Sequence, residues 1–216
     1  MLVFGGRGAQ LVFQDLWSFE LPSAASTTGV WSQLSAANPP PPRTGHAAAV
    51  LGDKDMLLVG GSGLLGKDTI DVWVFDSACK AWSQVDMSSS PSMPAGRHGH
   101  LLQPVGGAAD GQYTFIMYGG QSGTGDNDPF LGDVWNLTVS APSGMCGKAS
   151  LRSSTTIAAV ATGSWVAQGQ GPPPRAHMAD AVIGGAGDLV LFGGFAGYSG
   201  GLNDHLLSDS WMLHTQ

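Results

Sequence analysis

Short apolar runs that end in a pair of glycines recur along the chain. Each run holds three or four apolar residues, which is too short for a helix and typical of a buried strand bounded by a turn. Such runs at long, regular intervals predict repeated supersecondary units. The four copies are LVFGG (Leu2–Gly6), LLVGG (Leu57–Gly61), IMYGG (Ile116–Gly120) and LVLFGG (Leu189–Gly194).

A second motif, Asp-x-Trp, follows each glycine pair after a loop and opens another apolar stretch. Three copies then add a further short stretch with a tryptophan of its own, so the seven tryptophans occupy only two positions of the repeat. Aromatic side chains at fixed positions supply the apolar area with which thin sheets can stack. The residues are Asp15, Asp71, Asp133 and Asp209, then Trp17, Trp73, Trp135 and Trp211, and finally Trp31, Trp82 and Trp165.

A Pro- or Gly-rich turn with an arginine precedes three of the pairs and leads into one more strand. The segments are PPRTGHAAAV, PAGRHGHLLQ and PPRAHMADAV, with Arg43, Arg97 and Arg175. Each repeat therefore contains four short strands, which we call a to d in chain order. The fourth copy has Met178 where the other two have His46 and His100, so a role for this histidine does not extend to every repeat.

The combined motifs resemble the Kelch repeat and cover nearly the whole chain. The resemblance implies a β-propeller, like the central domain of galactose oxidase, in which each repeat forms one antiparallel blade. We expect an all-β fold with about four blades, the first and last incomplete, within a larger ring of about six or seven. The expected blades are residues 1–35 (strands b to d), 36–86, 87–168 with an insertion at 139–164, and 169–216 (strands a to c).

Composition narrows the range of partners. Nine Lys and Arg against 16 Asp and Glu give a net charge of -7, which lacks the cationic surface that nucleic acid or anionic lipid requires. No apolar run has the length of a membrane span, and no secretory signal pattern opens the chain. Cys79 and Cys146 match no zinc spacing and fit a reduced compartment. We expect no nucleic-acid or membrane partner and a cytoplasmic location.

Two glycine-rich segments match enzyme motifs without their structural context. Gly61 to Gly66 reads G-x-G-x-x-G, yet Lys67–Asp76 predicts a strand instead of the helix that would hold a pyrophosphate. Gly197 to Gly201 contains G-x-S-x-G, but the chain continues to the next strand without the helix of a nucleophile elbow. We interpret both as loops between strands b and c, and we predict no catalytic residue and no cofactor.

Residues that recur in every repeat are assigned to structure, because buried Arg and Asp side chains at strand ends can satisfy turn carbonyls and amides. His46 and His100 open strand a and could bind a metal with His98 or His177. A metal-dependent enzyme or ligand-binding propeller with a histidine site at the channel mouth is therefore the alternative function, although no metal is predicted. The structural set is Gly5, Gly6, Gly60, Gly61, Gly119, Gly120, Gly193, Gly194, Asp15, Asp71, Asp133, Asp209, Trp17, Trp73, Trp135, Trp211, Arg43, Arg97 and Arg175.

Strands alternate in direction within a blade, so the b–c loops and d–a loops should lie on one face of the disc. Exposed aromatic and charged residues that do not recur there suit protein recognition. We therefore expect a non-catalytic interaction module that binds a protein or peptide, and self-association through exposed blade edges is a further possibility. The predicted binding residues are Arg7, Phe13, Leu64, Lys67, Asp126, Phe130, Tyr198 and His205.

Overall fold

A computed structural model describes residues 1–22, 28–109, 111–123, 128–140, 161–183, 188–196 and 206–213. These residues form fourteen strands and contain no helix. No segment of this described part is a helix long and apolar enough to cross a membrane. The strands are β1 Leu2–Arg7, β2 Val12–Glu20, β3 Val30–Leu34, β4 Ala47–Leu51, β5 Asp55–Ser62, β6 Asp68–Asp76, β7 Ala81–Gln84, β8 Leu101–Ala109, β9 Gln112–Tyr118, β10 Asp133–Ser140, β11 Thr162–Gln170, β12 Ala179–Ile183, β13 Asp188–Phe195 and β14 Leu206–Leu213.

The strands form four antiparallel sheets in chain order, which we call blades 1 to 4. Blade 1 is β1–β2–β3, blade 2 is β4–β5–β6–β7, blade 3 is β8–β9–β10–β11, and blade 4 is β12–β13–β14. Within each blade, every strand pairs with its neighbour in sequence, as consecutive hairpins do. The three-stranded first and last blades and the four-stranded middle blades confirm the all-β fold with incomplete end blades. Membership of a larger ring stays a prediction.

The apolar cores lie between blades, because a single thin sheet cannot bury its own faces. One core joins Phe4 and Leu16 of blade 1 to Leu58 and Trp82 of blade 2. A larger core joins blades 2 and 3, and a third joins blades 3 and 4 through Leu189 and Leu191. Both faces of the middle blades are therefore covered, and β5 and β9 each contain four consecutive buried apolar or aromatic residues, at 56–59 and 115–118.

The glycine pairs connect neighbouring blades. The Gly61 N–H donates to the Arg97 carbonyl in the next blade at 2.9 Å. Both glycines have positive φ, 64° at Gly60 and 99° at Gly61, and a Cβ on Gly61 would lie 2.9 Å from the Thr44 carbonyl oxygen. A side chain is thus excluded both by conformation and by space. The same bond between blades runs from Gly6 to Arg43 and from Gly120 to Arg175.

In each blade that has a strand a, a buried arginine forms hydrogen bonds to three segments of the chain. Arg97 donates from Nε to the Ala95 carbonyl at 3.0 Å and from Nη1 to the Gly119 carbonyl at 3.0 Å. It also binds Asp133 through two nitrogens, at 2.6 and 2.9 Å, and Trp135 Nε1 donates to the same carboxylate. Arg43–Asp71 and Arg175–Asp209 repeat this arrangement. The recurring Arg and Asp side chains therefore satisfy each other and the backbone.

Hydrogen bonding sets the ionisation of these aspartates. Burial alone would raise the pKa of Asp133, but the hydrogen bonds from Arg97 and Trp135 outweigh burial and lower that pKa. The pKa of Asp71 is lowered in the same way, against burial, by Arg43 and Trp73. Both carboxylates stay charged well below neutral pH, so each pairs with its arginine wherever the fold is stable.

The G-x-G-x-x-G segment is confirmed as a hairpin loop, since β5 and β6 on either side of it are antiparallel. Gly66 has a φ of 72°, so an alanine there would be strained by about 1–2 kcal/mol. Gly63 has no such requirement, and a Cβ there would meet its nearest neighbour, the Pro42 carbonyl oxygen, only at 3.9 Å. The second motif, Gly197–Gly201, lies outside the described residues.

Two expectations about blade 3 and the cysteines need correction. Cys79 is disulfide-bonded, so the expectation of a reduced thiol is wrong at this position, and Cys146 lies outside the described residues. Disulfides are typical of oxidising compartments, so the cytoplasmic location loses one of its arguments and stays a prediction. The expected bounds of the insertion, 139–164, overlap two strands, because β10 extends to Ser140 and β11 begins at Thr162.

Candidate binding site

A cleft of about 560 Å³ opens where connections from all four blades meet. The β1–β2 and β5–β6 loops line it, together with the segments that precede β4, β8 and β12. These are the b–c and d–a connections, which therefore share one face around the channel mouth. The lining residues are Arg7, Val12, Thr44, Gly45, Ser62, Gly63, Leu64, Leu65, Gly66, His98 and His177.

The predicted residues of blades 1 and 2 project from this face. Arg7 and Leu64 line the cleft, Lys67 lies on the β5–β6 loop, and Phe13 lies near the start of β2. All four are exposed, and Leu65 beside them is 95% exposed. The apolar side chains thus stand in solvent with a cation on either side, without burial against their own blade.

An aspartate that the sequence analysis did not select ties the loops of blades 2 and 3 together. Asp68 accepts from His98 Nδ1 at 3.1 Å, and the Gly123 N–H donates to its other oxygen. The Asp68 side chain is almost fully buried by these contacts. The other repeats have Val12, Phe130 and Leu206 at this position, three residues before Asp-x-Trp. A break in the repeat was therefore the signal that could have identified it.

His177 occupies the channel mouth in a conformation that favours glycine. Two residues after the arginine, blades 2 and 3 have Gly45 and Gly99, both with a φ of 63°, whereas His177 has a φ of 54°. The His177 N–H donates to the Gly99 carbonyl, and the Gly99 N–H donates to the Gly45 carbonyl. A Cβ on Gly99 would lie 2.7 Å from the imidazole Cε1 of His177. The ring therefore fills the space that the missing side chain leaves.

The two cleft histidines face each other, with ring centroids of His98 and His177 6.0 Å apart. Burial lowers the pKa of His177, and the neighbouring His98 lowers it further. A neutral His177 at physiological pH can offer one donor and one acceptor to a bound group. The cleft thus contains two neighbouring histidines, His98 and His177, with exposed apolar side chains at its edge.

His46 and His100 lie deeper, against the glycine pairs of the preceding blades. Burial, followed by Arg97, lowers the pKa of His100 to about 3, and burial with Arg43 lowers that of His46 to about 4. A Cβ on Gly60 would lie 2.9 Å from His100 Cε1, so the imidazole packs directly on the glycine. Within the described ranges, no group of three or more His, Cys, Asp or Glu side chains is placed to hold a metal ion.

The predicted residues of blades 3 and 4 contribute less to this site. Phe130 was expected to be exposed, but it is half-buried because its ring packs edge-on against Phe195 with centroids 5.5 Å apart. It therefore joins the loop of blade 3 to blade 4, and only part of it is accessible to a partner. Asp126, Tyr198 and His205 lie outside the described residues.

The chain belongs to the Kelch-repeat family, since the model of the KLHDC2/KLHL20/DRC7 Kelch-repeats domain matches residues 1–160. It is 29% identical over 153 residues to an F-box/kelch-repeat protein of Arabidopsis thaliana, covering 66% of this chain and 29% of that protein. It is 33% identical over 112 residues to the Rab9 effector protein with kelch motifs of Gallus gallus, covering 50% and 26%. The chain spans less than a third of the length of these two relatives.

The solved structure of YjhT has the same type of fold. The two superpose with a TM-score of 0.52 at 15% sequence identity, covering 90% of this chain and 58% of YjhT. This likeness supports a Kelch-type propeller for the blades described above. It carries no argument about ligands, because sequence identity at this level is compatible with many functions on one fold.

Proposed function

We propose that the chain is a non-catalytic interaction module that binds a protein or peptide partner through the cleft and its surrounding loops. The names of its relatives support a role in protein interaction, since one is an F-box/kelch-repeat protein and another a Rab9 effector. Both are much longer than this chain, so the identity of the partner does not follow from them.

The observation that carries the proposal is the pair of exposed leucines beside a concave, partly cationic cleft. Leu64 and Leu65 gain nothing for the fold by standing in solvent, whereas they would lose water on binding a partner. Arg7 and Lys67 flank them and can pair with acidic or carbonyl groups at the rim. Apolar side chains at the centre with charged ones around them are typical of protein interfaces.

Capture of partners by the immobilised chain tests this proposal. The wild-type chain and a Leu64→Ser/Leu65→Ser variant are incubated with an extract of the source cells, and bound proteins are compared by mass spectrometry. Val50→Ser is the control, because Val50 is also exposed but lies at the end of β4 remote from the cleft. We expect a protein retained by the wild type and the control to be lost from the loop variant, with equal melting temperatures throughout.

Equal capture by all three chains would contradict a site on this face. Loss from the loop variant and the control alike would point to non-specific apolar binding. The metal-dependent alternative is tested separately by measuring the metal content of the purified chain and of a His98→Ala variant. A stoichiometric metal that His98→Ala removes would favour that alternative over the interaction module.

A further inference from the structure

The exposed cations of the chain are divided between its two faces. Of the nine Lys and Arg in the sequence, three arginines are buried in the aspartate pairs described above. Four of the others belong to the described ranges and are exposed. Arg7 and Lys67 border the cleft, whereas Lys54 and Lys80 lie in the β4–β5 and β6–β7 turns on the opposite face. A chain with a net charge of -7 therefore places two unburied cations beside one cleft.

The two cations at the cleft lack a carboxylate partner. Across the residues that the structure describes, neither Arg7 nor Lys67 forms an ion pair. Asp68 follows Lys67 directly in sequence, but its carboxylate accepts from His98 Nδ1 and from the Gly123 N–H, and its side chain is only 6% exposed. Asp68 thus joins the loops of blades 2 and 3 instead of pairing with the neighbouring lysine.

The lining of the cleft is otherwise uncharged or apolar. Among the described residues that line it, none is an aspartate or a glutamate. Leu64 and Leu65 form its exposed apolar edge, and Lys67 follows them on the same β5–β6 loop. This loop belongs to blade 2, which packs against blade 1 on one side and blade 3 on the other. The cleft therefore places an apolar patch directly beside unpaired cations.

We propose, on the basis of the interaction module proposed above, that the cleft binds an acidic peptide segment in which an aspartate or glutamate side chain lies next to a large apolar residue. The apolar residue covers Leu64 and Leu65, and the carboxylate pairs with Lys67 or Arg7. A basic segment would be repelled by both cations. An uncharged segment would remove water from the cations without giving them a partner. Charge complementarity thus selects among the segments that the leucines alone would accept.

The acidic group of the peptide should lie toward blades 1 and 2. Asp128, in the β9–β10 loop of blade 3, packs against Gly123, so that side of the face carries a carboxylate of its own. A second carboxylate from the peptide would be repelled there, whereas it would be attracted by Arg7 and Lys67. The peptide should therefore have a polarity, with its acidic residue over the β5–β6 loop.

A positional library of blocked octapeptides tests this chemistry. Each pool has a leucine at its centre, one defined residue beside it and mixtures elsewhere, with acetylated and amidated ends that leave only side-chain charges. We expect the immobilised wild-type chain to retain pools with Asp or Glu beside leucine at least about threefold more than pools with Asn or Gln, and to retain pools with Lys or Arg least. This preference should weaken as salt is raised, because salt screens exposed charges.

Variants of single cations locate the charge effect. Lys67→Glu and Arg7→Glu should each reduce the retention of acidic pools at least about threefold, and Lys67→Gln should reduce it less but in the same direction. Lys54→Glu is the matched control, since it changes the net charge equally but on the opposite face, and it should retain the wild-type preference. All these side chains are exposed, so equal melting temperatures are expected throughout.

The outcomes separate this inference from the function on which it rests. Retention of uncharged or basic pools that Leu64→Ser/Leu65→Ser abolishes would overturn the acidic chemistry and keep the interaction module. Retention that ignores this leucine variant, or no retention of any pool, would overturn both. A preference that appears only in pools with a free carboxyl terminus would overturn the side-chain carboxylate in favour of a terminal one. Equal losses in Lys67→Glu and Lys54→Glu would overturn the site, because only the net charge would then matter.

Discussion

Replacement of Trp165 by alanine should remove a large part of the stability of the fold, whereas the same change at Trp31 should not. Trp165 has no exposed surface and packs between blades 2 and 3, with its ring 6.4 Å from that of Trp135. Burial of ~200 Å² of aromatic surface at ~25 cal/mol per Å² amounts to ~5 kcal/mol. Measured Trp→Ala losses in cores of about 3–5 kcal/mol agree with that figure, and we expect a loss in this range.

Trp31 is the matched control because it occupies the same position of the repeat. About half of its surface is already in water, and its main contact is the Phe19 ring at 4.9 Å. Truncation there leaves no enclosed cavity, so we expect a loss of about 1–2 kcal/mol. Urea denaturation followed by circular dichroism, on dilute monomeric chains, measures both values. Equal losses at the two positions would refute the assignment of Trp165 to an interface between blades.

Four further changes test the other interactions. Arg97→Ala removes a fully buried guanidinium and leaves the half-buried Asp133 carboxylate and the Gly119 carbonyl without their donor. It should cost about 3–5 kcal/mol in urea denaturation, so a loss below about 1 kcal/mol would contradict the network. Gly61→Val should prevent folding or lower the melting temperature far more than Gly63→Ala, because only Gly61 combines a positive φ with a close carbonyl; similar effects would remove this reason for the glycine pair. Since burial lowers the pKa of His100 to about 3, the unfolded chain binds a proton that the folded chain does not, and stability should fall as pH decreases below about 6.5. His100 should contribute about 2 kcal/mol of this loss at pH ~5, and His100→Gln should remove that contribution while the loss due to His46 remains. Identical pH profiles of the two chains would therefore contradict the assignment to His100. His177→Gly relieves a strained φ and should keep or raise stability by up to ~1 kcal/mol while weakening partner capture; strong destabilisation would show that the ring is needed for packing.

The order and type of the strands could be predicted from the sequence because each blade repeats the same physical requirements. Glycine pairs mark positions with positive φ. Asp-x-Trp marks the carboxylate that accepts hydrogen bonds from the arginine before strand a. Four copies of each signal reinforce one another, so chance matches at one copy do not mislead. The same logic identified the G-x-G-x-x-G segment as a hairpin loop, since its first glycine belongs to the repeat.

The degree of burial of individual side chains could not be predicted in this way. Sequence places Trp73 and Trp82 in equivalent roles, yet Trp82 is fully buried and Trp73 is only half-buried. Phe130 looked like an exposed loop residue, but a ring from the neighbouring blade covers part of it. Burial depends on which surface the adjacent blade presents, and this surface is distant in sequence. The disulfide at Cys79 is likewise a property of the folded chain that spacing alone did not indicate.

The candidate site shows how a repeat can hide the residues that distinguish one copy from another. A comparison of the blades highlights the residues that recur in each of them. The recurring Arg, Asp and Gly residues form hydrogen bonds within and between blades, so their role is structural. Asp68 and His177 instead replace an apolar residue and a glycine, and both alter the channel mouth, one by joining two loops and the other by filling a gap. A non-glycine residue with positive φ stores strain that only the surrounding structure sustains. Positions that depart from the repeat at an energetic cost, such as His177, are therefore the first residues to test for a role in partner binding.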